Sequence, residues 1–427
     1  MSDTTAHKSP VRIVIAGGNY AGLNTAKVLY STLLAAPETE KAETATTHRA
    51  PPEVQITIID RRDGFLHFIG ITRGLTEPEY GEQLWVPYSS VGWMQHPSIK
   101  HFQATVKQIT PTHVRVASLD GTETNIEFDY LVIALGEGRF APVGTCAPSK
   151  DVFVKQLDTA NQKIKAAKTV TVVGGGAVGI ELAADIKCDF GDKQVTLVHS
   201  RALPLPGPFK DEFRQIVVDM LRNDIGVDLV LGDRAISQEP ASGDMLAGPE
   251  DEPELIDSTS ADTKLTLTSG RTVQSDLAIR CLGTRSKYHA PLISLPQGNV
   301  LDPTGIRVKD TMQVDSPEYS NIYACGDICS RDQVKLAGVA MYGGYIAARN
   351  VARSILCGKD AAVLEDGERY PPKIMLLMGK DHFALQFGDD IWDTERARPF
   401  APADMGLDNC IKALSLDGST PDYEKLL

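Results

Sequence analysis

Apolar positions fall along the chain in two series that repeat the same order of elements. The first series has a strand pattern at Val11–Ala16, a glycine turn, a helix pattern from Ala21 to about Leu34, and a second strand at Val54–Ile59. Residues 168–200 repeat this order of strand, glycine turn, helix and strand. The sequence therefore predicts an α/β fold in which one βαβ unit occurs twice.

Each series closes with the same pair of features. Residues 101–136 alternate short strand patterns with turn signals and end in the apolar run "YLVIAL", and a hairpin pattern followed by "LAIRCLG" ends the second series at residue 283. An uninterrupted apolar run is typical of a strand that is buried on both faces. The duplicated architecture thus extends over residues 11–136 and 168–283.

Three further segments complete the pattern. Residues 36–52 hold few large apolar side chains and end in two prolines, which predicts a surface insertion in the first unit. The strand "NIYACGD" and a helix from about Gln333 to Leu356 follow the second unit. Residues 371–427 contain one strand pair, "KIMLLMG" and "HFALQFG".

Composition narrows the partners. The 427 residues carry 43 basic and 56 acidic side chains, a formal charge of −13, and no basic run, which disfavours nucleic acid. No apolar stretch approaches 18 residues, no secretory leader follows the first methionine, and Ser2 stands where myristoylation needs glycine. We therefore expect a cytoplasmic protein.

The seven cysteines are scattered and suggest neither a disulfide framework nor a metal site. Cys325 and Cys329 come closest to a pair, but their spacing is wrong for the usual redox dithiol. We expect both to be small buried residues at a strand end.

The second glycine turn matches the dinucleotide-binding pattern in full. Gly174, Gly176 and Gly179 follow an apolar strand at the G-x-G-x-x-G positions, and Glu181 lies near the start of the next helix. Such a turn lets the backbone approach a pyrophosphate, which then faces the N–H groups of the helix N-terminus. In the dinucleotide-binding pattern, an acidic residue at the end of the next strand binds the ribose. Here His199 occupies that position, and Arg201 lies close by in the sequence. Loss of the acid removes repulsion against a 2′-phosphate and admits NADPH as well as NADH, although Arg201 is also consistent with a solvated loop residue.

The first turn departs from the pattern at one position. Gly17 and Gly22 are in place, but Asn19 replaces the middle glycine. Asn tolerates positive φ better than other residues, so we expect it to keep the turn, with its Cβ displacing the phosphate or its amide binding it. Asp60 ends the next strand, where it is either an acceptor for both ribose hydroxyls of an adenosine or a turn residue.

Taken together, these motifs resemble the flavoproteins that have two dinucleotide-binding domains, the pyridine nucleotide-disulfide oxidoreductase superfamily. The motifs are "IAGGNYAGL", "ITIIDRRDGFLH", "FDYLVIALG", "VTVVGGGAVGIELA", "VTLVHSR", "LAIRCLGTR", "NIYACGDI", "VKLAGVAMYGGYIAARN" and "LLMGKDHFALQ". Within that superfamily the chain looks most like the apoptosis-inducing-factor-like group, which includes ferroptosis-suppressor-type quinone reductases. The resemblance implies two Rossmann-like, three-layer domains, with the NAD(P) domain inserted in the FAD domain. The implied ranges are 1–150 and 285–360 for FAD, 151–284 for NAD(P)H, and 361–427 for a small α+β C-terminal region.

The resemblance also implies the cofactors, FAD with NADH or NADPH, and their contacts. The backbone of Val106 is expected at the adenine, Asp327 at the ribityl chain, Glu181 near the nicotinamide, and Lys335 near the isoalloxazine ring as the catalytic candidate; a solvated lysine at the start of a helix is the alternative for Lys335. The implied cofactor-binding residues are Gly17, Gly18, Asn19, Tyr20, Ala21, Gly22, Asp60, Arg61, Val106, Ala134, Gly136, Gly174, Gly176, Gly179, Glu181, His199, Arg201, Gly283, Gly326, Asp327 and Lys335. No metal is implied.

Three positions differ from the family pattern: Leu135, Asn19 and His199. The cysteine pair of the disulfide reductases is absent from both of its usual places, so electrons are expected to pass from the flavin to a small-molecule acceptor such as a quinone or oxygen. Two other functions stay open: a flavin-dependent monooxygenase or oxidase, and a redox-dependent binding protein. The resemblance implies a dimer surface, a membrane contact or a quinone entrance in the C-terminal region. His67, after "DRRDGF", is expected to be a structural histidine.

Overall fold

A computed structural model of the protein describes residues 9–35, 52–138, 141–239, 263–283, 293–295, 300–358 and 362–421. Apart from its last residue, the predicted insertion at 36–52 lies outside these ranges. The domain boundaries expected from the sequence stay predictions.

The first unit is built on a seven-stranded sheet with the order β18-β8-β1-β2-β5-β6-β7. The first five strands of this order are parallel, and β6 and β7 continue it as an antiparallel extension. Strand β18 follows the second unit in the sequence but belongs to the sheet of the first unit. The second unit is therefore inserted in the first, as predicted. The strands are β1 Val11–Ala16, β2 Val54–Asp60, β5 Ile99–Ile109, β6 His113–Ser118, β7 Glu123–Glu127, β8 Tyr130–Ile133 and β18 Ile322–Ala324; the hairpin β3 Gly64–Leu66 and β4 Trp85–Pro87 lies beside them.

The second unit repeats this design on a smaller scale. Its parallel sheet has the order β11-β10-β9-β15, and an antiparallel sheet, β12-β13-β14, packs beside it around a small apolar cluster. The duplicated Rossmann-like fold is thus confirmed. The strands are β9 Thr169–Val173, β10 Gln194–His199, β11 Asp228–Leu231, β12 Ala235–Glu239, β13 Thr263–Leu267, β14 Thr272–Ser275 and β15 Leu277–Arg280; β16 Leu301–Asp302 and β17 Gly305–Ile306 pair on the way back to the first unit.

Helices cover one face of each sheet. The helices are α1 Tyr20–Leu29, α2 Ile71–Gly74, α3 Pro78–Gly81, α4 Lys150–Ala166, α5 Ala177–Asp189, α6 Asp211–Asp219, α7 Ala337–Cys357, α8 Thr394–Ala397 and α9 Leu407–Ala413. Helix α1 continues as a π-helix over Tyr30–Leu34, which agrees with the predicted end near Leu34. The predicted start of α7 at Gln333 is wrong, because Leu336 has an extended backbone (φ −138, ψ 152) and the helix begins only after it.

Helices α1 and α7 of the first unit pack closely. A Cβ on Gly344 of α7 would overlap the carbonyl oxygen of Ala21 in α1, and Thr25 Oγ1 donates to the Gly344 carbonyl at 3.1 Å. The N-terminal half of α7 is therefore held against the start of α1, next to the first glycine turn.

The C-terminal region joins the two units. Its strands β19 Lys373–Met378 and β20 His382–Phe387 form the predicted pair, and β21 Asp390–Trp392 adds a third strand. Leu377 and Gly379 donate backbone N–H groups to Glu181 and Asp185 of α5, while Arg73 of α2 donates to the carbonyl of Ala403. In the described ranges, none of the helices has the length and apolar character needed to cross a membrane.

Candidate functional site

Three strands of the first sheet end side by side. Ala16 of β1 pairs with Ile133 of β8, and Ile133 pairs with Ala324 of β18. Since these strands are parallel, the segments after them leave the same edge of the sheet, where α/β folds bind nucleotides. These segments hold the predicted site residues Gly17–Gly22, Ala134–Gly136 and Gly326–Asp327.

Backbone packing requires glycine at two positions of the first turn. Gly17 has a φ of +108, and a Cβ on it would overlap the carbonyl oxygen of Ala134. A Cβ on Gly22 would overlap the carbonyl oxygen of Gly17. Helix α1 begins directly after this turn without a side-chain cap, so its first N–H groups lack an intrahelical partner. N–H groups of this kind are suited to a phosphate.

Asn19 has an extended backbone, with φ −113 and ψ −154. The expectation that Asn replaces glycine because it tolerates positive φ is therefore wrong. Its Nδ2 donates to the Leu66 carbonyl at 3.1 Å, whereas its Oδ1 is buried without a partner. The unpaired atom is an acceptor, so it suits a ligand hydroxyl and not a phosphate oxygen. The next side chain, Tyr20, contacts the buried His67 (Tyr20 Oη to Nδ1, 3.1 Å), whose Nε2 lies 3.1 Å from the Met405 carbonyl, as expected of a structural histidine.

Asp60 lies at the end of β2, where the sequence places it, but Arg62 already holds its carboxylate. Asp60 accepts from Gly18 N at 2.7 Å, from Arg62 N at 2.9 Å, and from Arg62 Nε and Nη2 at 3.0 Å each. Burial alone would raise the pKa of Asp60, but the Arg62 charge and these hydrogen bonds outweigh it and hold the pKa below its usual range. The four contacts use the acceptor positions of the carboxylate, so a ribose diol can bind there only if Arg62 releases one of them.

Two neighbours of this contact were not predicted from the sequence. Arg62 Nη1 is buried without a partner, directly beside the expected ribose position. The Tyr88 hydroxyl donates to the Gly18 carbonyl and closes the turn from the other side. Arg62 could have been suspected from its place two residues after Asp60, whereas nothing in the sequence connects Tyr88 with Gly18.

The remaining adenosine candidates are placed differently. Val106 has a buried side chain and pairs with Val116 across β5 and β6, so any ligand contact is through its backbone. Arg61 turns away from Asp60, with Nη1 2.6 Å from Cys146 Sγ.

The start of α7 and the end of β18 meet the first turn. Gly326 has a φ of +79, and a Cβ on it would lie 3.2 Å from the Ala21 side chain and 3.5 Å from that of Ala340. Asp327 and Lys335 line a small cavity here, next to Tyr342. Lys335 precedes α7 and is one-third exposed, and its Nζ lies 3.6 Å from Glu137 Oε2. Glu137, which the sequence did not single out, follows Gly136 in the segment after β8.

The second turn repeats the backbone packing of the first. Gly174 has a φ of +120 and its Cβ would lie 2.6 Å from the Cys281 carbonyl oxygen, while a Cβ on Gly179 would overlap the carbonyl oxygen of Gly174. Gly175 N donates to His199 Nδ1 at 3.1 Å, as Gly18 N donates to Asp60. A Cβ on Gly176 would meet no protein atom within 4 Å, so this glycine leaves open space at the start of α5.

His199 is 9% exposed, and its Nε2 is buried without a hydrogen-bond partner. Burial, followed by the charges of Arg201 and Arg214, lowers the pKa of His199 to about 4. The imidazole is therefore neutral near pH 7. Arg201 is exposed in the loop that follows.

The last two candidate residues of the second unit lie against the C-terminal region and the first unit. Glu181 is buried in α5, and its Oε1 accepts from Leu377 N at 3.2 Å. Gly283 follows β15 in the same way as Gly136 follows β8, and a Cβ on it would lie 3.8 Å from the Glu137 carboxylate. The segments that leave the two sheets thus meet at Glu137.

One chain therefore carries two glycine turns of the same geometry at the carboxyl edges of two sheets. Residues 11–344 match the family model described as pyridine nucleotide-disulphide oxidoreductase. The chain belongs to this family. The cofactors expected from the sequence, FAD with NADH or NADPH, are those of the family.

Relatives and solved structures agree with this assignment. The chain is 30% identical to Oxidoreductase OXR1 of Ajellomyces capsulatus over 96% of this chain and 89% of that one. It is 27% identical to Ferroptosis suppressor protein 1 of Xenopus tropicalis over 91% of both chains. In fold it is similar to the water-forming NADH oxidase of Lactobacillus brevis, with a TM-score of 0.63 and 18% identity over 88% of this chain and 74% of the other.

The residues at both turns fit these dinucleotides. Buried polar atoms lack hydrogen-bond partners beside both turns, namely Asn19 Oδ1 and Arg62 Nη1 in the first unit and His199 Nε2 in the second. A bound nucleotide would supply such partners. In a turn with only a structural role, buried polar atoms are expected to be paired within the protein. In the described ranges, no three His, Cys, Asp or Glu side chains are grouped to hold a metal. The expected cytoplasmic location, homodimer and membrane contact stay predictions.

Proposed function

We propose that this protein is an FAD-dependent NAD(P)H oxidoreductase that passes electrons to a small acceptor, a quinone or oxygen, without a redox disulfide. The observation that carries the proposal is the meeting of the two units at Glu137, beside both Lys335 and Gly283. Hydride transfer depends on holding two rings face to face more than on an acid or a base. Two nucleotide turns whose following segments converge at one point meet that requirement.

Each turn has its own part in this arrangement. Gly17, Gly18 and Gly22 with the start of α1 hold the pyrophosphate of FAD, and Gly174, Gly176 and Gly179 with the start of α5 hold that of the nicotinamide nucleotide. Bound FAD supplies the two-electron chemistry. Asp327 and the N-terminus of α7 lie on the flavin side, where a positive helix dipole favours the reduced, anionic flavin. Lys335 adds a positive charge at the same place.

Cysteine chemistry supports direct transfer from flavin to acceptor. Cys325 and Cys329, the two cysteines at the flavin edge, are 0% and 5% exposed, as predicted. Burial raises the pKa of Cys325 to about 12 and that of Cys329 well above its usual value. The thiolate is the reactive form, so these two thiols are poor candidates for disulfide exchange near pH 7.

The acceptor is tested by reoxidation. The FAD-loaded protein is reduced anaerobically with one equivalent of NAD(P)H, then mixed in a stopped-flow instrument with a soluble quinone or with oxygenated buffer. We expect the quinone to restore the oxidised flavin spectrum, and any reaction of the two-electron-reduced flavin with oxygen to give one equivalent of hydrogen peroxide. A flavin that stays reduced with both acceptors would overturn the proposal and favour the redox-dependent binding protein.

A further inference from the structure

We propose that His67 is a positioning residue that couples the first glycine turn, residues 17–22, to residues 403–405 of the C-terminal region. Through this side chain, binding of FAD at the turn and docking of the 403–405 segment stabilise each other. The inference rests on the proposed function, because it takes the first turn as the FAD site. It gives a role to a buried histidine that hydride transfer does not use.

Three successive carbonyl groups of the C-terminal region accept hydrogen bonds from side chains of the first unit. The contacts are Arg73 Nη1 to the Ala403 carbonyl (3.1 Å), Tyr80 Oη to the Asp404 carbonyl (2.8 Å) and His67 Nε2 to the Met405 carbonyl (3.1 Å). All three donors lie in the connection between β3 and β4. Because the acceptors are backbone atoms, the first unit recognises the conformation of the 403–405 segment and not its side chains.

The backbone of the segment is left-handed where His67 holds it. Met405 has a φ of +55, and Gly406 follows with a φ of +80. A residue with a side chain adopts this region at a cost and stays there when surrounding contacts impose it. The Met405 side chain is buried with Leu377 and Phe383 in the apolar cluster of the C-terminal region, while its carbonyl points to the first unit. The docked conformation of Met405 therefore depends on contacts from both sides.

The other ring nitrogen of His67 reaches the first turn. Nδ1 lies 3.1 Å from Oη of Tyr20, the first residue of α1. Burial lowers the pKa of His67, so the ring is neutral near pH 7. Nε2 faces a carbonyl, which can only accept, so Nε2 carries the single proton and Nδ1 accepts the Tyr20 hydroxyl. One imidazole thus joins the turn and the 403–405 segment by two directional hydrogen bonds.

The residue before His67 holds the same turn. Asn19 Nδ2 donates to the Leu66 carbonyl at 3.1 Å. Asn19 and Tyr20 are the N-cap and the first residue of α1, so Leu66 and His67 together orient the start of this helix. The free N–H groups at that start are the ones suited to the FAD pyrophosphate. A displacement of His67 therefore displaces groups that bind FAD.

Two contacts that share one side chain are energetically coupled. FAD orders Tyr20, and Tyr20 holds His67 in the orientation that the Met405 carbonyl requires. By linkage, docking of the 403–405 segment strengthens FAD binding by the same factor. Tyr80 provides the comparison, because in the part of the chain that the structure describes it makes no hydrogen bond to the first turn. Its contact with Asp404 contributes to docking alone.

Hydrogen exchange tests the coupling without any hydride transfer. Mass spectrometry compares residues 404–414 in the FAD-loaded protein, in protein stripped of FAD with potassium bromide, and in stripped protein reloaded with FAD. Several amides of this stretch are bonded within it, so their exchange reports its docking. We expect FAD to slow this exchange about tenfold and reversibly, with no change in β13 and β14 of the second unit. Equal exchange with and without FAD would overturn the inference.

Two matched variants assign the coupling to one side of the segment. Tyr20→Phe keeps the ring that packs on Phe65 but removes the hydroxyl that His67 accepts. We expect it to abolish the effect of FAD on exchange at 404–414 and to release FAD about tenfold faster, read from the rise in flavin fluorescence. Tyr80→Phe is expected to raise exchange equally with and without FAD and to release FAD at the wild-type rate. A full FAD effect on exchange in Tyr20→Phe would contradict the coupling.

Variants of His67 distinguish positioning from a merely structural role. His67→Ala is expected to abolish the effect of FAD on exchange, whereas His67→Gln, which carries both a donor and an acceptor, is expected to keep part of it. A structural role alone would raise exchange equally in the loaded and the stripped protein for both variants, and that result would overturn the inference. The two tyrosine variants decide the question even where His67→Ala does not fold.

The outcomes separate this inference from the proposed function. FAD-dependent exchange at 404–414 in a protein whose flavin neither NADH nor NADPH reduces would support the coupling and overturn the proposed function. Flavin reduction with exchange at 404–414 that does not respond to FAD would support the function and overturn the coupling.

Discussion

Lys335 Nζ lies 3.6 Å from Glu137 Oε2, and the same carboxylate faces the backbone of Gly283 in the second unit. Glu137 is therefore the residue at which the segment after β8, the segment after β15 and Lys335 meet. If the flavin binds here as proposed, the charges of Glu137 and Lys335 act on it with opposite signs, so their effects can be separated.

The first prediction follows from those signs. Lys335→Met removes a positive charge near the reduced flavin and is expected to lower the flavin midpoint potential, whereas Glu137→Gln leaves Lys335 unneutralised and is expected to raise it. The expected shift is on the order of 30 mV in each direction, which is ~1.4 kcal/mol for two electrons. Spectroelectrochemical titration measures both variants. Shifts of the same sign would show that the pair does not act through its charge.

The second prediction concerns the open space at Gly176. A Cβ there meets no protein atom within 4 Å, so Gly176→Ala is expected to fold normally and to occupy space needed by the pyrophosphate. We expect NAD(P)H affinity to fall about tenfold or more, with flavin content unchanged. Gly191→Ala is the matched control, since a Cβ on Gly191 also meets nothing and the residue lies beyond the end of α5. Equal affinities in the two variants would place the nucleotide elsewhere.

The third prediction compares a buried and an exposed ion pair. Asp60→Asn leaves the buried Arg62 without its carboxylate and is expected to cost about 3–5 kcal/mol of the free energy of unfolding. Glu127→Gln breaks the exposed contact with Arg12 and is expected to cost less than about 1 kcal/mol. Urea unfolding of both variants measures the difference. Similar costs would mean that the Asp60–Arg62 contact is not what holds this corner together.

How far the sequence leads can be judged at these positions. Both glycine turns and their strand-end residues were predictable, because only glycine closes such turns and each strand ends in a polar residue. Three contacts were not predictable from the sequence: Arg62 with Asp60, Tyr88 with Gly18, and Glu137 with Lys335. These contacts depend on how loops fold back in space. The late start of α7 was also missed, since Leu336 fits a helical pattern but is held in extended backbone.

The fourth prediction is a pH dependence at the junction of the C-terminal region with α5. Burial outweighs the nearby Arg73 and raises the pKa of Asp185 to about 7. The folded state thus holds this proton more tightly than the unfolded state, so the contribution of Asp185 to stability falls as the pH rises from about 4 to 7. Between pH 5 and pH 8, the midpoint of urea unfolding is expected to fall more for the wild type than for Asp185→Asn. Asp192→Asn, an exposed change just after the same helix at a residue that does not act on Asp185, is the control and is expected to follow the wild type.

The fifth prediction tests the absence of a redox disulfide. The double variant Cys325→Ala and Cys329→Ala is expected to keep its flavin and its rate of acceptor reduction, with a loss of about 1–2 kcal/mol in stability from the two small cavities. A variant that binds FAD and is reduced by NAD(P)H but no longer passes electrons to any acceptor would show that these thiols take part.

The central claim is that two turns of one chain hold FAD and a nicotinamide nucleotide for direct hydride transfer. The most direct measurement is an anaerobic titration of the purified yellow protein with NADPH and with NADH, followed by visible absorption. The account predicts complete bleaching of the flavin at one equivalent of nucleotide per flavin. A flavin that neither nucleotide bleaches, or a protein that binds no flavin, would contradict it.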